Sequence, residues 1–302
     1  MTDPIFSLVL CTKGRVAELA RFLESLVAQR MTEVQVIIVD QNDDDRLMPV
    51  LNDFQDKVSL VHIRTATGLS LGRNEALKRV RAAIVGFPDD DCVYPPGLLR
   101  RLLELANLRS EDFFSFASAG LNGGLSGPRQ ETTDTEITPS NVWRCVISYT
   151  FFVRSRCLQG GIRFDTDLGV GSPGPYKSGE ETDFVLQLLR AGYRGWHVRD
   201  MGVLHPEEQQ TLAHARKRWA YGCGTGFVYV KDRLGALAIG KMLVGPLVRF
   251  LRSLLCLRVV ECIHHGYEFA GRVRGVWGGM FRVSGAPDAG VDLAPLEKPC
   301  GK

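Results

Sequence analysis

The chain has no C-x-x-C pair, although it carries eight cysteines, at 11, 92, 145, 157, 223, 256, 262 and 300. Scattered thiols, several in apolar surroundings, fit reduced, buried side chains better than a disulfide framework. No run approaches the roughly 18–20 apolar residues of a membrane span. The N-terminus, M-T-D-P-I-F-S-L-V-L-C-T-K, lacks the basic leader and long apolar stretch of a secretion signal. These absences predict a protein made and retained on the cytoplasmic side. A net charge of +3 is too small for binding nucleic acid by bulk electrostatics, so no such partner is expected. No internal repeat is present. What remains is 302 residues, 45% hydrophobic and 24% charged, enough for one large α/β domain or two smaller ones.

Hydrophobic periodicity supplies the architecture. Ile5 to Leu10 is a short apolar run that breaks at Cys11-Thr12-Lys13-Gly14. Behind it, Val16, Leu19, Ala20, Leu23, Leu26 and Val27 recur at helical spacing. Strands are predicted at Val34–Val39, Leu60–Ile63 and Ala83–Phe87, with a helix over Ser70–Arg81. Strand and helix alternate with polar loops after the strands, which predicts a Rossmann-like, mostly parallel sheet with helices on both faces. In such sheets ligands collect beyond the carboxyl ends of the strands, where Thr12, Asp40 and Asp89–Asp91 all fall.

Residues 108–145 read as polar and turn-rich, with G-L-N-G-G-L-S-G-P at 120–128 as a loop or insertion. A strand over Val146–Val153, a Gly-rich loop at 168–175 and a helix over about 180–191, stopped by Gly192, follow. From Lys231 to Arg282 there are nine Lys or Arg against three Asp or Glu, and the last twenty residues read as a loose tail. The expected division is a domain over 1–230, split near 107 into two halves. A basic, amphipathic helical extension over 231–282 and a tail over 283–302 complete it.

Two acidic clusters carry chemistry. Asp89-x-Asp91 at a strand end can hold a hard divalent cation through oxygen ligands; the plainer alternative is an Asp-rich turn before Pro95-Pro96. Glu180, Glu181 and Asp183 open a helix. Ser178-x-x-Glu181 fits a capping box, and a carboxylate there also fits a general base. His205 is a third candidate metal ligand if it folds back over Asp91. Arg73 is a solvated helix charge or a diphosphate clamp.

Five stretches together resemble the family 2 glycosyltransferases of the GT-A fold: S-L-V-L-C-T-K-G-R, V-I-I-V-D-Q-N, G-L-S-L-G-R-N-E-A-L, F-P-D-D-D-C-V-Y-P-P-G-L-L and S-G-E-E-T-D-F-V-L-Q-L-L-R-A-G-Y. The resemblance runs over about residues 4–206. It implies that Thr12, Arg15 and Asp40 lie on the nucleotide, and Arg73, Asn74, Asp89 and Asp90 near ribose and diphosphate. Asp89 and Asp91, with His205, become metal ligands for Mn²⁺ or Mg²⁺. Gly169, Gly171, Glu180, Arg218 and Trp219 border the acceptor. Glu181 stands where the family usually has its Asp base, so its longer side chain leaves Asp183 as an alternative. Processive synthases of the family resemble one another in Q-x-x-R-W and membrane spans. Here Ala215 replaces the Gln before Arg218-Trp219, which implies a single-addition enzyme.

The expected activity is inverting transfer from a nucleoside-diphosphate sugar, a UDP-sugar foremost, to a hydroxyl of a glycan or lipid-linked acceptor. It would serve cell-surface polysaccharide or glycoconjugate synthesis, with a possible peripheral membrane contact through the basic extension. Two other classes share the crevice: a nucleotidylyltransferase that forms sugar nucleotides, and a catalytically silent nucleotide-sugar-binding protein.

Overall fold

The computed structural model describes residues 3–122, 130–207, 211 and 214–283. In chain order the first half runs β1 (Phe6–Thr12), α1 (Val16–Val27), β2 (Val34–Asp40), α2 (Met48–Phe54), β3 (Ser59–Arg64), α3 (Leu69–Leu77), β4 (Ile84–Gly86) and α4 (Leu98–Leu108). The second half runs β5 (Phe113–Gly120), β6 (Thr135–Ile137), α5 (Val142–Cys145), β7 (Phe151–Arg154), α6 (Glu180–Arg190) and β8 (Gly195–His205). Three helices close the described chain: α7 (Ala215–Lys231), α8 (Ala236–Leu255) and α9 (Val259–Val283).

One sheet of eight strands, ordered β3-β2-β1-β4-β7-β5-β8-β6, holds these together. β1, β2, β3 and β4 are mutually parallel, as are β5 and β8; β7 and β6 run against their neighbours. β1 and β2 are apolar runs, interrupted by Ser7 and Gln35, which bond each other at 2.6 Å, because helices cover both faces, and their side chains alternate between two cores. Phe6, Leu8 and Leu10 join Leu19, Phe22 and Leu23 of α1 and Leu98, Leu99 and Leu102 of α4. Val9, Ile37 and Val39 face the other way, toward Ala76 of α3, Phe184 and Leu188 of α6 and Phe227 of α7.

The structure departs from the sequence reading in three places. α3 stops at Leu77, four residues early, because the amides of Arg79 and Val80 bond back in tight turns to Ala76 and Leu77 before β4. Residues 108–145 hold a core strand, β5, whose buried Ser115 and Ser118 are satisfied by His197 Nδ1 at 2.9 Å and Tyr149 Oη at 2.7 Å. Most of the Gly-rich stretch, residues 123–129, lies outside the described residues. The expected strand at 146–153 is shorter: Ser148–Thr150 forms a 3₁₀ turn, and only Phe151–Arg154 pairs. The extension over 231–282 is two helices packed onto α7, and the expected tail lies outside the described residues beyond Val283.

Close backbone contact joins α7 to α9. A Cβ at Gly226 would stand 2.1 Å from the Arg272 carbonyl, and one at Gly275 2.1 Å from that of Cys223. α8 contains Pro246, which cannot donate to the Met242 carbonyl one turn back; Arg272 Nη1 fills that vacancy at 2.6 Å. Among the described residues, no helix is long and apolar enough to cross a membrane.

Candidate active site

The six co-directional strands end at one edge of the sheet, and the loops leaving them are stitched to one another. Gly14 N donates to Asn42 Oδ1 at 2.7 Å, and Lys13 Nζ to Thr67 Oγ1 at 2.8 Å. The loop after β4 is fastened across the edge by a two-bond bridge between Val93 and Leu204, at 2.8 and 3.0 Å. That bridge puts the last residue of β8, His205, beside Asp91.

Asp89, Asp91 and His205 each present a ligand atom within 4.8 Å of the others. His205 Nδ1 lies 2.8 Å from the Pro206 carbonyl, which can only accept, so Nδ1 carries a proton and Nε2 is the nitrogen that faces Asp91, able to take a metal once deprotonated. Nε2 is 3.1 Å from Asp91 Oδ1, a buried oxygen without a well-aligned hydrogen-bond donor. Tyr149 stacks on the imidazole, with centroids 4.5 Å apart at 9°. Asp89 Oδ1 takes Ser148 Oγ at 3.2 Å and Arg73 Nη2 at 3.4 Å. Two carboxylates and an imidazole nitrogen oriented by a carbonyl suit a hard to borderline divalent cation. The donor set therefore fits Mn²⁺ or Mg²⁺.

Asp90 turns from that cluster. Thr12 Oγ1 donates to it at 2.8 Å and Arg15 Nη1 at 2.6 Å, and the same Arg15 nitrogen pairs with Asp91. Burial pushes the Asp90 carboxyl up to about 6, against the pull of Arg15 and Thr12. Burial also raises Asp89, whereas His205 and Arg15 more than offset burial at Asp91 and hold it low. Asp40 is enclosed: Asn42 donates to Oδ1 through its backbone at 2.9 Å and its side chain at 2.7 Å, and His62 Nε2 meets Oδ2 at 3.0 Å.

Arg73 is 1% exposed and links the two acidic clusters. It donates through Nη1 to Glu180 at 3.2 Å and through Nη2 to Asp89, with its guanidinium 5.2 Å from the Phe164 ring. It is a buried bridge, not the solvated helix charge of the plainer reading. Asn74 is spent on backbone: it donates to the Phe164 carbonyl at 2.8 Å and accepts from its amide at 3.0 Å.

The capping box does not form. α6 starts one residue after Gly179, whose φ of +87° favours glycine, and Ser178 Oγ donates to the Tyr221 carbonyl at 2.8 Å instead. Glu180 and Glu181 thus sit side by side in the first turn. Burial and the neighbouring Glu180 push Glu181 up to about 8, and burial raises Glu180 against Arg73. Gly169, at φ +92°, leaves room for Glu180, whose carboxyl carbon would be 3.1 Å from a Cβ there. Gly171 packs on Gly68, and Val170 O accepts from Leu69 N at 2.9 Å, so this loop lies along α3 beside the acidic residues.

Asp183 faces elsewhere. It is fully buried, takes Gln187 Nε2 at 2.8 Å and pairs with Lys231 Nζ at 2.5 Å, and Lys231 also holds Asp165 at 2.7 Å. One of its oxygens is taken within α6, and the other joins α6 to the end of α7. Arg218 and Trp219 lie on α7. Trp219 packs against the apolar core around Phe227, and its backbone carbonyl abuts Gly271. Among the described residues, neither makes a hydrogen bond or ion pair with Asp89, Asp91 or Glu180. Ser148 and Tyr149 escaped sequence reasoning because no motif marks them; the turn before β7 alone brings them to Asp89 and His205.

Residues 7–150 match the sequence profile described as Glycosyl transferase family 2. A curated relative, the uncharacterized glycosyltransferase EpsJ of Bacillus subtilis (strain 168), is 23% identical over 111 residues, 36% of this chain and 32% of its own length. The aligned part thus spans about a third of that relative. Among solved structures, the mannosyltransferase PcManGT from Pyrobaculum calidifontis, in complex with GDP-Man and Mn²⁺, superposes with a TM-score of 0.65 at 14% identity, covering 92% of this chain and 88% of that one. S. aureus TarS 1–349 in complex with UDP-GlcNAc gives 0.57 at 18%, covering 90% and 92%. These likenesses show the fold: a GT-A sheet with a helical C-terminal region.

Proposed function

We propose, from the match of residues 7–150 to the glycosyl transferase family 2 profile, that the protein is an inverting, metal-dependent glycosyltransferase. Its donor is a nucleoside-diphosphate sugar, with UDP as the nucleotide, and its acceptor is a hydroxyl of a glycan or lipid-linked glycan in surface polysaccharide or glycoconjugate synthesis. The observation that carries the reading is the convergence of Asp89, Asp91 and His205, tied through the buried Arg73 to the Glu180-Glu181 pair. That TarS was solved with UDP-GlcNAc and PcManGT with GDP-Man and Mn²⁺ supports both donor class and cation.

A divalent cation held by Asp89, Asp91 and His205 would neutralise the charge that develops on the departing diphosphate. The chain's own groups supply the rest. Thr12 and Arg15 fix Asp90 at the nucleotide end of the crevice. Arg73 holds Asp89 and Glu180 in a common frame, so donor-side and acceptor-side carboxylates keep their spacing. Glu181 takes the proton of the acceptor hydroxyl, and a carboxyl raised to about 8 is a stronger base than an ordinary one. Attack from the side opposite the diphosphate inverts the anomeric centre. Residues 1–230 carry this chemistry.

The first experiment is a thermal-shift series with UDP-sugars and GDP-mannose, with and without Mn²⁺, followed by NMR of the product's anomeric configuration. A ligand at a hundred times its Kd stabilises the native state by about 2.7 kcal/mol. The expected result is a cation-dependent rise with one donor and an inverted product. No rise with any donor, or pyrophosphate formed from nucleoside triphosphate and sugar phosphate, would refute it.

A further inference from the structure

α8 wears its amphipathicity inside out. Its buried residues, Met242, Pro246 and Ser253, share one side. At about 100° per residue, Leu237, Val244, Val248, Leu251 and Leu255 form a stripe on the opposite side. All five are exposed, Leu237 at 74% and Leu255 at 84%. A helix at the surface of a globular domain ordinarily turns polar residues outward. The stripe continues past the helix end into Leu257, exposed at 85%, and Val259.

Charge along the same segment has one sign. Residues 233–260 contain Arg233, Lys241, Arg249, Arg252 and Arg258 and no Asp or Glu. Arg249 is engaged with Glu268 of α9 at 3.0 Å, and Arg258 with Glu261 at 3.2 Å. Lys241 and Arg252 fall on the flank of the stripe at helical spacing, both exposed. An apolar ridge edged by unopposed cations complements a surface of acyl chains beneath anionic headgroups. The helix is also not apolar enough to cross a bilayer.

We propose that α8 and the turn after it dock the protein on an anionic phospholipid surface. The helix lies in the plane of the membrane, its stripe among the acyl chains and Lys241 and Arg252 at the phosphates. Arg249 serves the α8–α9 contact instead. Docking does not depend on the glycosyl-transfer reading, although an acceptor delivered on a lipid would give it a use.

The test is flotation of the full chain with vesicles of phosphatidylcholine alone or with about one-third phosphatidylglycerol, over a salt series. The protein is expected to float with the anionic vesicles and to detach as salt rises. Lys241→Gln with Arg252→Gln lowers the vesicle partition coefficient about 30-fold, from about a fivefold loss per basic residue. Val248→Glu with Leu251→Glu abolishes flotation while leaving the melting temperature unchanged, since both side chains are already exposed. Protein that stays soluble with anionic vesicles at low salt overturns the proposal. So does flotation of the stripe variant at the wild-type level, or a stable dimer that these two glutamates dissociate and that never floats.

Discussion

Arg73→Met removes the cation that stands between two buried carboxylates and keeps most of the side chain's length. In the wild type its guanidinium reaches Glu180 at 3.2 Å and Asp89 at 3.4 Å from a position 1% exposed. Losing one partner of a buried pair costs about 3–5 kcal/mol, because the other charge is left without compensation. At about 2–4 °C per kcal/mol, the melting temperature should fall by roughly 6–20 °C. The loss has a pH signature. Burial already raises Glu180 and Asp89 while Arg73 lowers them, so the substitution lifts both further above their unfolded values. A carboxyl with a raised folded pKa binds more protons folded than unfolded, so stability falls as pH rises above the unfolded value. The gap between variant and wild type should thus widen from about pH 5 to about pH 8. The assay is a circular-dichroism melt of both proteins across that range, without donor or metal. An unchanged melting temperature would refute the bridging role and return Arg73 to contacting the diphosphate alone. A gap that does not vary with pH would refute the electrostatic account of it.

Glu181→Gln should abolish transfer, match the wild-type melting temperature below about pH 4.5, pull ahead of it as pH rises from there to about 8 and keep that lead above, because the unfolded wild-type carboxyl ionises first while Gln stays neutral in both states. Equal melting curves at high pH would contradict the raised carboxyl. Asp183→Asn should destabilise by about 3 kcal/mol, through the loss of Lys231's partner, and leave turnover within about twofold in folded protein. Inactivity with an unchanged melting temperature would make Asp183 the base. Gly224→Ala places a Cβ 2.1 Å from the Ser178 carbonyl, so the loop launching α6 must shift. A cost of about 1–3 kcal/mol and a lowered kcat are expected, and a wild-type kcat would show that the loop does not position Glu181.

The first half was legible because β1, β2 and β4 are buried on both faces and so stand out as apolar runs: V-Q-V-I-I-V ends at Asp40, and the run before Asp89 ends at Phe87. Its acidic turns fall where a parallel sheet opens. β5 was not legible, since F-F-S-F-A-S-A-G carries small and hydroxyl residues whose partners, His197 and Tyr149, lie far along the chain. The same holds for the site. Asp89, Asp91 and His205 could be named from pattern, but the Val93–Leu204 bridge that unites them is backbone pairing, which no side chain announces. The capping reading of Ser178 failed because Tyr221 on α7 competes for its hydroxyl, and the Lys231 partner of Asp183 comes from the end of the same helix, far from the motif.

Whether Asp89, Asp91 and His205 hold a cation that drives donor cleavage is decided by pairing Mn²⁺ binding, followed by electron paramagnetic resonance, with release of nucleoside diphosphate from the sugar donor, in wild type and Asp91→Asn. Loss of electrostatic leaving-group stabilisation of this kind costs about a hundredfold or more in rate. The expected result is that Asp91→Asn, while retaining its melting temperature, loses both the bound Mn²⁺ signal and turnover by that factor, and that excess EDTA silences the wild type. Undiminished release of nucleoside diphosphate by Asp91→Asn, or by wild type in excess EDTA, would contradict it.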